Sequence, residues 1–476
     1  MNCIVIKGPT LLEAQDQILK GVAWANLFEF RLDYFESLEI EQIKQLRALT
    51  SLPVIFTLRK PGQEDEILKL ASLEPNYIDV DVNDAHSLIE KISHSFPKIK
   101  LILSHHDFEG MPEDLDQIFQ SLKKFPAHFY KIACMANSTL DACRLIAWKK
   151  QTPDQLIAIS MGCHGQISRI LSSFIESPWT YSTLGNGVNS IGQLSSFVLR
   201  ERYRHAYISP KTEVYGLIGD PVDQSISNET HNAVFKAFDL NAVYLKMQVK
   251  PLDLCEFLKF AKQLAFFGLS VTMPLKETII PFLDYLDPEA ACIGAVNTLC
   301  IKEGKIYGYN TDGFGALNAI EKKGKVANKH IVILGAGGSS KAIAYEGKKR
   351  GAKITLLNRD QKKAENIAEK LHCSVKGLDQ MAECANKGYD ILINCTPAEM
   401  PISAEHILNN SIVMDIVTKP MVRTFLKHAL EKNCQVIYGY EMFIEQALGQ
   451  FELWLNDQIN IAEARKILEK EVIILI

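Results

Sequence analysis

The chain has 476 residues, 47% hydrophobic and 23% charged, with a formal net charge of −4. That length is too great for one ordinary core and predicts several domains. The near-neutral balance excludes the basic face that nucleic acid or an anionic membrane demands, so small molecules are the expected partners, with monomer or homo-oligomer left open.

The N-terminus, Met1-Asn2-Cys3-Ile4-Val5-Ile6, reads as a strand rather than a leader, and no apolar run reaches the roughly 18 residues of a membrane span. The 11 cysteines contain no Cys-x-x-Cys pair. They fit free thiols in a reducing compartment, so cytoplasmic residence is expected. No ligand set for a metal is apparent.

Short apolar strands are predicted at Cys3–Lys7, Phe28–Tyr34, Val54–Arg59, Tyr77–Val82, Leu101–His106, Tyr130–Met135, Leu156–Met161 and Ser182–Leu184. Their starts lie about 23 to 30 residues apart, the length of one βα unit. Amphipathic stretches such as Leu11–Leu19 and Leu115–Leu122 fill the gaps. Eight such units predict a (β/α)8 TIM barrel over 1–207, and a doubly wound sheet is the alternative. A polar stretch from Arg200 to Lys211 closes this part, with 208–213 as the linker. A second α/β region opens at Val214. Its first lobe spans 214–320 and is completed by helices at 442–476; a Rossmann lobe occupies 321–441.

In a barrel, catalytic groups gather at the C-terminal strand ends. The first strand offers none. The others offer Glu29, Arg31 and Asp33; Thr57 and Arg59; Asp79 and Asp81; Ser104, His105, His106 and Asp107; Lys131; and Ser168-Arg169. A lysine on an apolar strand is desolvated, which favours a neutral amine able to form a Schiff base with a ketone. A neighbouring histidine is a good general acid and base near pH 7. A salt-bridged structural lysine is the alternative for Lys131 taken alone.

Glu29-Phe30-Arg31-Leu32-Asp33, Thr57-Leu58-Arg59, Ser104-His105-His106-Asp107-Phe108, Lys131-Ile132-Ala133, Met161-Gly162 with Ser168-Arg169, and Gly192-Gln193 together resemble type I 3-dehydroquinate dehydratase. The resemblance implies that Lys131 condenses with the C3 ketone of 3-dehydroquinate and that His106 moves the protons. It implies that Arg169 pairs with the substrate carboxylate, while Glu29, Arg31, Arg59 and Gln193 hold hydroxyls and the carboxylate end. Asp81 and Asn189 stand where this family usually has glutamate and serine.

Farther on, Gly335-Ala336-Gly337-Gly338 follows a strand and opens a helix, a turn whose N–H groups suit a pyrophosphate. The next strand ends in Asn358-Arg359, with Lys362 and Lys363 nearby. An arginine there suits the extra phosphate of NADP, against which Asp360 works. Polar loops carry Ser225-Ile226-Ser227, Thr272 and Lys276, Asn297, and Asp312; each alone is also ordinary turn chemistry.

In this order, with Gly439-Tyr440-Glu441-Met442 and Gln446-Ala447, these segments resemble shikimate dehydrogenase. The resemblance implies Lys276 and Asp312 as the catalytic pair, Ser225 and Ser227 on the carboxylate, and Thr272, Asn297, Asp312 and Gln446 on hydroxyls. It implies Gly335, Ala336, Gly337, Gly338, Asn358, Arg359, Lys363, Thr396 and Gly439 around NADP. Ser270, Thr418, Glu399 and Asn228 depart from the usual asparagine, tyrosine, glycine and proline. The two halves would run successive reactions, as in bifunctional dehydroquinate dehydratase/shikimate dehydrogenases. A quinate dehydrogenase in the second half, and a non-catalytic metabolite sensor, are the alternatives.

Overall fold

The computed structural model of the chain describes residues 1–37, 39–59, 64–152, 155–185, 192–360, 362, 365, 369 and 371–476. They form two compact units. Met1–Glu213, with the short segments Asn241–Val243 and Met247–Val249, makes the first, and the remainder from Val214 onward makes the second.

The first unit holds eight strands: β1 (Asn2–Ile6), β2 (Leu27–Arg31), β3 (Val54–Thr57), β4 (Tyr77–Asp81), β5 (Lys100–Asp107), β6 (Phe129–Met135), β7 (Leu156–Met161) and β8 (Thr180–Ser182). Their order is β7-β6-β5-β4-β3-β2-β1-β8 and every ladder is parallel. This is the expected barrel, nearly closed. The seam lies between β7 and β8, where side chains rather than a ladder meet: Ile157 and Ile159 share one core with Tyr181. Cys3, Val5, Leu27, Ile55, Ile102 and Ala133 join them, so these alternate positions line the interior. The last strand lies two residues earlier than expected.

The second unit contains two sheets. The first runs β10 (Ala242–Gln248), β9 (Glu213–Gly219), β11 (Gly268–Val271), β13 (Thr298–Lys302), β14 (Lys305–Tyr309) and β12 (Tyr285–Leu286). It is mixed, with β13 antiparallel to both β11 and β14. The other runs β17 (Ser374–Gly377), β16 (Lys353–Asn358), β15 (His330–Leu334), β18 (Ile391–Asn394), β19 (Ile412–Asp415) and β20 (Gln435–Ile437), all parallel. Counted within the sheet the order is 3-2-1-4-5-6, the dinucleotide-binding arrangement, whose switch point lies between β15 and β18.

Both faces of that parallel sheet are covered, which is why its central strand β15 is apolar on both sides. Ile331 and Ile333 enter the core on one face, Val332 and Leu334 the core on the other. Ile333 is fully buried. Ile333→Ala should therefore cost about 2–5 kcal/mol. The check is a lowered urea midpoint for the second unit's unfolding transition, followed by near-ultraviolet circular dichroism.

Candidate active sites

Strand alternation builds the first site. Leu27, Ile55, Ile102 and Ala133 line the barrel interior, so Glu29 and Arg31, Thr57, Ser104 and His106, and Lys131 face inward on the same rows. Lys131 is buried, yet its surroundings are not apolar. Its Nζ donates to Asp79 Oδ2 at 2.9 Å, lies 3.7 Å from Glu29 Oε1, and sits 4.3 Å from the centre of the Tyr181 ring. Lys131 does lie on an apolar strand, with Phe129, Ala133 and Met135 beside it on the inner row, and its amine meets two carboxylates from neighbouring strands.

Those carboxylates are themselves held. Ser104 Oγ donates to Asp79 Oδ1 at 2.5 Å, Arg59 Nη2 approaches Asp79 Oδ2 at 3.4 Å, and Thr57 Oγ1 donates to Glu29 Oε1 at 2.9 Å. Burial alone would raise the Asp79 carboxyl, but Lys131, Arg59 and His106 outweigh it and hold it below the usual carboxylate range.

His106 is pushed down to about 3, chiefly by burial and then by the cations Arg59 and Lys131, against the pull of Asp81. Its Nδ1 lies 3.6 Å from Asp81 Oδ2, beyond direct hydrogen-bond reach, and has no hydrogen-bond partner. The shorter aspartate therefore attracts the ring without gripping it. Arg31 makes a two-pronged pair with Asp33, Nε to Oδ1 at 3.0 Å and Nη2 to Oδ2 at 2.8 Å. Arg169, on the helix Gln166–Ile170 after β7, is buried and lowered to about 10 by desolvation, with Tyr181 and Glu29 opposing.

Gln193 is buried beside Gly192, whose φ is +70° and whose missing Cβ would lie 2.0 Å from the Gly162 carbonyl oxygen. Only glycine permits that approach, and it brings the segment to the end of β7. Asn189 lies outside the described residues. Thr57, Asp79 and Ser104 were offered at the strand ends but given no role, and Tyr181 was not named. Asp79 had a readable signal, since it lies two residues before Asp81 and so shares its face.

The second site forms where the two lobes of the second unit meet. Lys276 follows β11 on the short helix Leu275–Thr278, and Asp312 opens the helix Asp312–Glu321. Lys276 Nζ donates to Asp312 Oδ2 and, at 3.1 Å, to Ser339 Oγ, which in turn donates to the same Asp312 oxygen at 2.9 Å. Asn297 Nδ2 donates to Asp312 Oδ1 at 2.8 Å and to Gln446 Oε1 at 3.3 Å. Ser225 and Ser227 hydroxyls lie 2.7 Å apart at the start of the helix Ser227–Ala237. Thr272 packs against Gly219, where a Cβ would lie 2.3 Å from its methyl.

Two departures acquire partners here. Ser270 receives the Tyr244 hydroxyl at 2.7 Å and donates to Gln450 Oε1 at 2.9 Å. Gln450 Nε2 continues to Thr298 Oγ1 at 3.0 Å and the Asn297 carbonyl at 3.2 Å, so an amide from the facing helix ties this position to Asn297. Glu399 Oε1 accepts from Thr424 N and Oγ1, each at 2.9 Å, and Oε2 from Arg423 Nε at 3.1 Å, pinning the loop after β18 to the helix Thr424–Glu431.

The dinucleotide turn fits its expected cofactor. Gly335 has φ +112° and faces Thr396, Gly337 has open space where a Cβ would stand, and Gly338 starts a helix with Lys276 carbons 3.3 Å from its missing Cβ. Ala336 is buried beneath the turn, and Gly439 presses on the Val417 backbone. At the end of β16, Asn358 Nδ2 bonds the Asp360 carbonyl, and Arg359 is exposed with no carboxylate within ion-pair distance among the described residues. Lys363 lies outside the described residues. Among the described residues, no cluster of metal-ligating side chains occurs and no helix is long and apolar enough to cross a membrane.

Residues 2–210 match the family model for type I 3-dehydroquinase. Residues 217–299 match that for the shikimate dehydrogenase substrate binding domain, and 318–425 that for shikimate/quinate 5-dehydrogenase. The "Shikimate biosynthesis protein AroDE" of Chlamydia pneumoniae is 37% identical over 471 residues, covering 96% of each chain. The chloroplastic "Bifunctional 3-dehydroquinate dehydratase/shikimate dehydrogenase" of Arabidopsis thaliana is 34% identical, covering 94% of this chain and 83% of that one. A solved shikimate dehydrogenase in complex with NADP+ is 39% identical with a TM-score of 0.52, covering 56% of this chain and 97% of its own. The chain belongs to the family of bifunctional 3-dehydroquinate dehydratase/shikimate dehydrogenases of the shikimate pathway.

Proposed function

We propose that this chain dehydrates 3-dehydroquinate to 3-dehydroshikimate in residues 1–207 and reduces that product to shikimate with NADPH in the remainder. In this reading 208–213 is the linker, 214–320 with 442–476 is the substrate lobe, and 321–441 binds NADP. The observation that carries it is a lysine–carboxylate pair in each unit: Lys131 against Asp79, and Lys276 against Asp312.

In the dehydratase, the Lys131 amine attacks the C3 ketone and expels water to give an iminium. That positive nitrogen acidifies the adjacent C–H. His106 takes the proton and returns it to the departing hydroxyl, and water then hydrolyses the iminium, so one water is lost overall. Asp79 and Glu29 accept the proton balance around the amine at 2.9 and 3.7 Å. Arg169 and Gln193 receive the substrate carboxylate, while Glu29, Arg31 and Arg59 hold hydroxyls and Asp81 orients His106.

In the dehydrogenase, NADPH supplies the hydride when bound. Gly335 to Gly338 would cradle its pyrophosphate, with Ala336 beneath, and Arg359, Asn358 and Lys363 would meet the ribose phosphate. Thr396 and Gly439 would flank the nicotinamide side. Lys276 gives the C3 oxygen its proton, and Asp312, with Ser339 and Asn297 on it, holds the ammonium in place. Ser225 and Ser227 take the carboxylate; Thr272, Asn297 and Gln446 take hydroxyls. The paired serines favour shikimate over quinate, which a comparison of NADP-dependent oxidation of the two acids decides. All 11 cysteines are unpaired, which supports the cytoplasm.

Lys131→Ala should abolish dehydratase turnover and leave shikimate oxidation intact, and borohydride with substrate should trap an adduct on Lys131. Normal dehydration without that lysine rules the mechanism out. Lys276→Ala should lower the dehydrogenase kcat by about 10²–10⁴-fold with NADPH binding nearly unchanged; unaltered kcat would refute its role.

Folded His106 resists protonation down to about 3, whereas unfolded it takes a proton near the ordinary histidine value of 6.5. Its neutral form thus contributes stability that is present above 6.5 and lost as pH falls toward 3. The wild type's urea midpoint should accordingly fall more steeply than that of His106→Gln between pH 6.5 and 4, by at most about 1.4 kcal/mol per pH unit. Parallel profiles would show that His106 is not buried neutral.

A further inference from the structure

The barrel mouth holds a cation that the reading above leaves without work. Cys3 and Val5 point into the barrel, so Lys7, the next residue in that alternation and the first beyond β1, falls on the inner row at the mouth. It is half-buried. Its Nζ lies 5.0 Å from the centre of the Tyr34 ring, and the Arg31 guanidinium carbon lies 4.7 Å from the same ring.

The surrounding charges are unevenly spent. Arg31 is already neutralised by its two-pronged pair with Asp33. Lys7 Nζ has no carboxylate within ion-pair distance among the described residues. Its ammonium is disfavoured first by burial, then by Arg31 and Arg169, with Glu29 and Asp33 opposing. A desolvated cation beside two further cations costs stability unless an anion arrives to share it. A purely structural lysine of this length would extend its ammonium into solvent.

We propose that Lys7 is a further substrate-binding residue of the dehydratase, meeting the substrate carboxylate together with Arg169. The assignment rests on the dehydratase reading above. It explains why a lysine is kept half-buried over the Tyr34 ring that Arg31 also covers, and it gives the carboxylate a second positive partner. Lys7 takes no part in proton transfer, so its loss weakens binding and spares the chemical step.

The test uses the full-length protein and steady-state dehydration of 3-dehydroquinate. Lys7→Met should raise KM about tenfold or more with kcat within about twofold, as loss of uniform binding does. Lys7→Arg should recover most of the wild-type KM. Shikimate oxidation by the same preparations should be unchanged, which reports intact chains. A KM for Lys7→Met within twofold of wild type, or a loss confined to kcat, overturns the assignment while leaving the dehydratase reading in place. A wild type that cannot dehydrate 3-dehydroquinate overturns both.

Discussion

Both sites depend on one constraint: an amine taken out of water must be compensated on the spot. A buried ammonium costs several kcal/mol even after relaxation, and removing its partner typically costs about 3–5 kcal/mol. Lys131 meets this with Asp79 and Glu29, and Lys276 with Asp312. The carboxylates then need partners of their own, which Ser104, Arg59 and Thr57 provide in the first unit, and Ser339 and Asn297 in the second. Each amine is therefore the centre of a polar network whose outer members sit on separate strands or helices. The fold has to deliver those members together: the first site gathers at the C-terminal ends of parallel barrel strands, and the second at the loops and helix starts of two lobes.

Much of the scaffold was readable because its signals are periodic. Strands recurring at the βα interval gave the barrel, and alternation assigned Glu29, Arg31, His106 and Lys131 to one interior. The last strand was misplaced by two residues because it is only three residues long and the chain continues apolar on both sides. The glycine turn, the strand before it and the end of β16 were legible for the same local reasons. What was not legible depends on long-range docking. Ser339 stands just past the glycine turn, and its bond to Lys276 spans 63 positions. Gln450 is 180 positions from Ser270. Lys7 closes the first predicted strand, yet that strand was read as offering no catalytic group, because the cations that bear on Lys7 come from β2 and from the helix after β7.

The departures from family pattern divide along the same physical line. Ser270 and Glu399 changed the polar groups available at their positions, and neighbours answer them with ordinary hydrogen bonds from Gln450, Tyr244, Thr424 and Arg423. Such substitutions are tolerated because each buried polar atom still finds a partner. Asp81 differs in kind. Its carboxylate holds Asn83 through the backbone N–H at 3.1 Å and the side-chain amide at 2.9 Å, and stops 3.6 Å short of His106. The missing methylene leaves His106 Nδ1 buried without a hydrogen bond.

That gap has a consequence for the base itself. A carboxylate hydrogen-bonded to Nδ1 fixes the tautomer and favours the imidazolium that proton abstraction creates. At 3.6 Å the attraction remains but the orientation is no longer enforced, and the cations Arg59 and Lys131 push the other way. His106 is then a weaker base than a gripped histidine, and in the proposed mechanism it would need a C–H that is correspondingly acidic. In the proposed dehydratase mechanism, a Schiff base on Lys131 would supply that acidity by placing positive nitrogen next to the reacting carbon. On that proposal, the covalent route would let a buried, ungripped histidine act near neutral pH: the amine would lower the barrier on the substrate side that the imidazole cannot lower on its own.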